Sequence, residues 1–370
     1  MLRFIHTSDW QLGMPFHWVN GDGAAKLREL RMLAVDRLRQ LAQEHKVAFV
    51  VVAGDLFDAN TIAERVILDG LDRLKAFPCP VYVIPGNHDH GGPGSVYGHE
   101  LFQRHRPPNL VVLQDRQPIF HANAPAWLLP APLLQRHEGI DPTAHITREL
   151  GGHDAPRIGI AHGSIRRFDQ SGDGTVPNLI DPTRAAVAEL DYLALGDWHG
   201  CQQIDARTWY CGTPEPTSFK DNDPGKALLV GLQGGGILPE IEELHIGQTH
   251  WVSHATSLFQ PTDLDALRHT LQTLPQARLT LLNLTLKGSL SISELTEVRA
   301  LIEETRLRLL HYQEQSDALY AHVSSSELDA IASDGYVRMA VDRLISRDKQ
   351  GDRIASHALQ LLYQLKRSTC

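Results

Sequence analysis

Residues 47–58 read VAFVVVAGDLFD. The run up to Gly54 is apolar without a polar alternation, the pattern of a strand covered on both faces. It stops at a glycine followed by Asp55 and, three residues on, Asp58. Glycine lets a backbone approach a ligand closely. In layered α/β folds, ligand sites gather beyond the C-terminal ends of the strands. This stretch therefore reads as a buried central strand that delivers carboxylates to such a place.

The same grammar recurs on either side. RFIHTS (3–8) leads into SDWQLG (8–13), with Asp9 and Gln11. PVYVIPG (80–86) leads into GNHD (86–89), with Asn87, His88 and Asp89. RIGIAHG (157–163) carries His162, and DYLALGD (191–197) leads into GDWH, with Asp197 and His199. Helical stretches intervene. Residues 24–45 place Leu27, Leu30, Ala34, Leu38 and Leu41 on one stripe, and 61–76 read as a second helix. Strand–helix alternation predicts a layered α/β fold in which five strand ends converge. A single acidic corner is an ordinary turn; five in order are a site.

That order, D-x-Q, GDLFD, GNHD, HG and GDWH, resembles the binuclear, calcineurin-like metallophosphoesterases. HTSDW with GDLFD and GNHD looks like their DNA-repair nuclease branch, typified by SbcD, and CGTPEPTSFKDNDPGKALLV (211–230) is similar to the loop and strand after that branch's last metal motif. The resemblance implies a β-sandwich flanked by helices, a small α+β capping domain and C-terminal helices. It implies one divalent ion on Asp9, Gln11, Asp55 and His199, and a second on Asp55, Asn87, His162 and Asp197. His88 would contact the scissile phosphate or protonate the leaving oxygen. Gln11 and Asp197 stand where the family has histidines. Both offer oxygen, so the set suits Mn²⁺, or Mg²⁺, better than Zn²⁺. The expected reaction is in-line phosphodiester hydrolysis, two ions clamping the attacking and leaving oxygens. The resemblance further implies a homodimer acting on DNA with an SbcC-like, SMC-family ATPase.

The bulk numbers fit. With 370 residues and 42% hydrophobic content, the chain is long enough for one large core or two domains. A net charge of −9 argues against binding nucleic acid by bulk charge, though bound metals supply local positive charge. Cys79, Cys201, Cys211 and Cys370 form no CxxC pair, which favours reduced thiols over a disulfide framework or zinc knuckle. With no signal-like apolar N-terminus and no membrane-length apolar segment, the expected location is the cytoplasm.

The expected division is a phosphoesterase domain over 1–235, a capping domain over 236–330 and terminal helices over 331–370. Residues 107–150 read as loops around one short strand, LVVLQ, and 166–183 as a polar loop or lid. Ser291 followed by Glu294 predicts a capping box. Trp10 and Trp198 either stack on a base or pack beneath the site, and Arg166 and Arg167 are candidates for phosphate contact. His6 and His90 are candidates for orienting ligands. Two other readings stay open: a phosphoesterase for a nucleotide or other small substrate, and a scaffold with a degenerate metal site.

Overall fold

A computed structural model of the chain describes residues 1–19, 21–165, 177–220, 222–322 and 335–348, with scattered positions from 350 to 362. Arg166, Arg167 and most of the expected lid lie outside the described residues. The chain forms two compact units, Met1–Thr249 and His250–Cys370.

The first unit opens with β1 (Leu2–Thr7), α1 (Asp22–Glu44), β2 (Phe49–Val52), α2 (Glu64–Lys75), β3 (Val81–Val83), α3 (Glu100–His105) and β4 (Leu110–Val112). Then come β5 (Ile119–His121), β6 (Ala126–Ala131), β7 (Arg157–His162), β8 (Ser164–Ile165) and β9 (Leu179–Ile180). It closes with α4 (Arg184–Val187), β10 (Tyr192–Gly196), β11 (Gln202–Gln203), β12 (Thr208–Tyr210), β13 (Lys226–Leu232) and β14 (Glu240–His245). One six-stranded sheet runs β14-β13-β1-β2-β3-β4 and the other β11-β12-β10-β7-β6-β5. β1 to β4 are mutually parallel, as are β6, β7, β10 and β12.

The apolar runs are explained by what each face meets. Phe49 and Val51 enter the core between the sheets with Phe4, Ile158, Ile160 and Tyr192. Val50 and Val52 enter the core under α1 and α2 with Ile5, Leu38 and Leu71. A third core covers the outer face of the second sheet, where Ala161, Leu193 and Leu195 meet Ala185 and Ala188 around α4. The order helix, sheet, sheet, helix is the layered sandwich expected from sequence.

Two expectations change. The 107–150 segment contributes β5 and β6 as well as β4, so it is not loop around a single strand. Pro130 inside β6 obscured this, because proline normally marks an edge or an interruption. Residues 236–249 belong with the first unit, because β14 pairs antiparallel with β13 from Lys226↔His245 to Gly231↔Glu240.

The second unit is β15 (His250–Leu258), α5 (Pro261–Gln272), β16 (Thr280–Ser291), α6 (Ile292–Arg306) and β17 (His311–His322), in a parallel sheet β15-β16-β17. The Ser291 capping box is present: its Oγ accepts from Glu294 N, and the Glu294 carboxylate accepts from Ser291 N. Helix Gly335–Asp348 follows, with Val341 buried against Leu359. No described helix is long and apolar enough to cross a membrane.

Candidate metal centre

Five strands of both sheets end at one place. β1 delivers Asp9 and Gln11, β2 Asp55, β3 Asn87 and His88, β7 His162, and β10 Asp197 and His199. Glycines let the sheets meet there. A Cβ on Gly54 would lie 2.2 Å from His162 Nδ1, and one on Gly196 would lie 2.0 Å from the Ala53 carbonyl. Backbone hydrogen bonds lock the first two corners together, Asp9 N donating to Gly54 O at 3.1 Å and Gln11 N to Asp55 O at 2.9 Å.

The backbone is strained where the donors sit. Asp9, Gln11, Asp55 and Asp197 all have positive φ, at 53°, 41°, 54° and 96°. Side chains with a Cβ rarely adopt that region, and such residues persist where the surroundings over-determine them. Four of the seven expected ligands share this cost.

The side chains converge as acceptors. Ligand atoms of Asp9, Asp55 and His162 lie within 4.8 Å of one another, and all three residues are buried. His162 Nδ1 lies 2.8 Å from the Ala53 carbonyl, which can only accept, so Nδ1 carries the proton. In the neutral ring Nε2 then presents a lone pair. It faces Asn87 Oδ1 at 2.9 Å, Asp55 Oδ2 at 3.6 Å and Asp197 Oδ1 at 3.8 Å. Asp9 Oδ1 is buried without a hydrogen-bond partner, 3.7 Å from His199 Nε2. His199 Nδ1 is held by Thr217 Oγ1 at 2.6 Å, and its Nε2 lies 3.3 Å from Gln11 Nε2. A nitrogen lone pair among oxygens, beside an orphaned carboxylate oxygen, requires a cation. The donor set fits divalent ions, with His162 and His199 each oriented through the far ring nitrogen.

Electrostatics point the same way. Burial pushes the Asp9 carboxyl up to about 8 against the pull of His162, and Asp55 and Asp197 push it further. Burial, then Asp89, raises Asp55 well above the carboxylate range. Burial, then Arg31, lowers His199 to about 3, and Lys220 acts in the same direction.

His88 stands at the rim of this cluster. Its backbone N–H donates to Asp55 Oδ1 at 2.9 Å, and its Nδ1 lies 2.7 Å from the Asp58 carbonyl. Asp58, named by the sequence within GDLFD, thus touches the site through His88. Asp89 points away from the cluster and ties the corner: Oδ1 accepts from Gly86 N at 2.8 Å, and Oδ2 from Phe57 N at 3.1 Å and Tyr97 Oη at 2.5 Å.

Sequence reasoning missed Arg31, whose buried guanidinium donates to Trp10 O at 2.7 Å and to Glu215 O at 3.0 Å, tying the SDWQLG corner to the 213–216 loop. Its signal was present. Arg31 lies four residues after Leu27, inside the apolar stripe of α1, where a charged side chain needs buried partners. Ser164, which donates to Asp197 Oδ2 at 2.7 Å, and Thr217 were missed as well.

Other expectations resolve structurally. Trp10 is fully buried, donates to Thr7 Oγ1 at 2.9 Å and stacks on Phe77. Trp198 packs against the outer core of the second sheet. His6 bridges the sheets through Tyr192 Oη and Leu195 O rather than orienting a ligand. Cys79, Cys201 and Cys211 carry no disulfide. A cavity of about 790 Å³, lined by Arg157, Asp191, Arg207 and Gly234–Gly236, opens at the start of β7, whereas the metal cluster lies at its end.

A family profile described as calcineurin-like phosphoesterase matches residues 2–201. The chain is similar to the SbcD subunit of the nuclease SbcCD of Escherichia coli (strain K12), 26% identical over 293 residues that cover 67% of this chain and 69% of that protein. It is similar to the corresponding nuclease subunit of Bacillus subtilis (strain 168), 31% identical over 62% of this chain and 66% of that protein. It also resembles the uncharacterized metallophosphoesterase YhaO of the same bacterium, 26% identical over 72% of this chain and 65% of that protein. The matched profile spans more than half of the 370 residues and contains every strand end that builds the cluster, so the chain belongs to the calcineurin-like phosphoesterase family.

Proposed function

We propose that the chain is a metal-dependent phosphodiesterase acting on DNA, the nuclease subunit of a repair complex. One observation carries the reading: the His162 Nε2 lone pair, with Asn87, Asp55 and Asp197 oxygens around it, in a pocket built by five strand ends. Asp9, Gln11, Asp55 and His199 would hold one divalent ion, and Asp55, Asn87, His162 and Asp197 the other. Asp55 is shared. When bound, the ions supply Lewis acidity at the phosphate oxygens and ease deprotonation of the attacking water. The oxygen-rich set favours Mn²⁺, with Mg²⁺ as the alternative.

The chain's own residues do the rest. Asp58 O fixes His88 through Nδ1, which leaves Nε2 to contact the phosphate or hand a proton to the leaving oxygen. Ser164 and Thr217 hold Asp197 and His199 in place. Two of the relatives carry the name nuclease, which supports a nucleic-acid substrate. An SMC-family ATPase of the SbcC type and a homodimer remain part of the proposal. Exposed Tyr336, Met339 and Ile354, at 82%, 66% and 77%, make the 331–370 segment a reasonable dock for that ATPase.

A second reading, a phosphoesterase for a nucleotide or other small substrate, draws on the net charge of −9. Single-stranded DNA and bis-p-nitrophenyl phosphate, each with Mn²⁺, separate the two. Cutting of DNA that is lost in His88→Ala and Asp55→Ala supports the nuclease; cleavage of the generic diester alone favours the second reading.

A further inference from the structure

We infer that Trp18 and Phe219 form a stacking platform for a nucleobase of single-stranded DNA, with Lys220 beside it for the adjoining phosphate. The inference rests on the nuclease reading above and names how that site would grip its strand. Trp18 is 41% exposed, although tryptophan is usually well covered. Its ring meets that of Phe219 at 6.0 Å between centroids and 53° between planes. Trp10 and Trp198, the tryptophans next to the site's aspartates, are committed to packing.

The position of the pair follows from the chain on both sides. Trp18 lies seven residues after Gln11. Phe219 lies two residues after Thr217, whose hydroxyl holds His199 Nδ1 at 2.6 Å. Gln11 and His199 meet across the cluster at 3.3 Å. The two loops leaving these residues therefore rejoin at Trp18 and Phe219, on the rim. Two residues span at most about 7 Å, close to two steps of a stacked strand at about 3.4 Å each. A phosphate at the cluster would thus bring a base one or two nucleotides away onto the rings. Lys220 follows Phe219 and is exposed, and its charge acts on His199. An aromatic face beside a cation is how sequence-tolerant single-strand binding is built. On an acidic protein, such local contacts must replace bulk charge.

The test is a coupling between protein ring and base. The affinity of Mn²⁺-loaded His88→Ala protein, which does not turn over, is measured by fluorescence anisotropy for a single-stranded oligonucleotide and for a fully abasic one of equal length. The same pair is then measured with Trp18→Ala and with Trp18→Tyr added. The platform predicts that the His88→Ala protein prefers the base-bearing strand roughly tenfold, that Trp18→Ala erases most of this preference, and that Trp18→Tyr retains it. A preference that survives Trp18→Ala, or equal weakening of both strands, overturns the platform. If neither strand binds while wild type hydrolyses bis-p-nitrophenyl phosphate, the nuclease reading falls and the platform with it.

Discussion

Gly86 lies so close to Asp55 that a Cβ on it would fall 2.2 Å from Asp55 Oδ1 and 2.5 Å from the Asp55 backbone nitrogen. The GNHD corner is thus moulded onto the carboxylate shared by the two proposed ions. Backbone cannot yield as the tip of a side chain can. Gly86→Ala should push the corner outward and weaken Mn²⁺ binding by at least about tenfold, with an overpacking cost of about 1–3 kcal/mol. Gly94→Ala is the control. Its φ is 79°, but nothing lies within 4 Å, so it should cost about 1 kcal/mol and leave Mn²⁺ affinity alone. Calorimetric titration and urea unfolding of both variants check this.

Metal-free protein should lose stability as pH rises from 7 to about 8. Asp9 is held up to about 8, so the folded state keeps a proton that the unfolded chain has already released above about 4. Asp55, also raised, adds in the same direction. His6 and His199, both lowered to about 3, act oppositely, but only between about 3 and 6.5, and are silent above pH 7. Melting temperatures at pH 7.0 and 8.5 in chelator should therefore differ, the higher pH being lower. Saturating Mn²⁺ should remove or reverse the slope, because it selects the ionised carboxylates. A flat profile in chelator contradicts the electrostatic account of the cluster.

His88 and Asp55 should separate cleanly. His88 contributes a backbone N–H and its ring at the rim, whereas Asp55 is shared by both proposed ions. His88→Ala should keep Mn²⁺ binding and lose about 100-fold or more in kcat. Asp55→Asn should lose Mn²⁺ binding itself. Equal loss of metal in both variants would remove His88 from the chemistry.

Arg31 should matter for folding beyond what one surface charge would. Its guanidinium is buried and bonds Trp10 O and Glu215 O, while Glu215 in turn accepts from Gln248 N and Thr249 Oγ1. Arg31→Leu leaves those carbonyls unpaired and Glu215 without its buried cation, a cost of about 3–5 kcal/mol. Urea unfolding at pH 7 measures it. A loss under about 1 kcal/mol would mean that water replaces the guanidinium.

The strand ends were legible in the sequence because each apolar run stops at the residues that do the chemistry. Asp9, Asp55, His162 and their companions are local signals, and both sheets point their C-terminal ends the same way. What was hidden depends on partners far along the chain. Arg31 meets Glu215, and His6 meets Tyr192, through contacts that no spacing rule encodes. Asp89 looked like a further ligand of its corner, yet it is spent on Phe57 N and Tyr97. β17 went unread because HYQEQSDALYAH is an edge strand with much of its length exposed, so its sequence is polar. The boundary after 235 was misleading because the glycine turn at 234–236 only reverses the chain into β14.

The central claim is a two-ion centre with Asp55 between the ions. Electron paramagnetic resonance during Mn²⁺ titration of metal-free protein reads it directly. The account predicts two equivalents bound by wild type, with the exchange-coupled signal of a close Mn²⁺ pair that Asp55→Asn abolishes. A single isolated Mn²⁺ signal, or free Mn²⁺ throughout the titration, would contradict it.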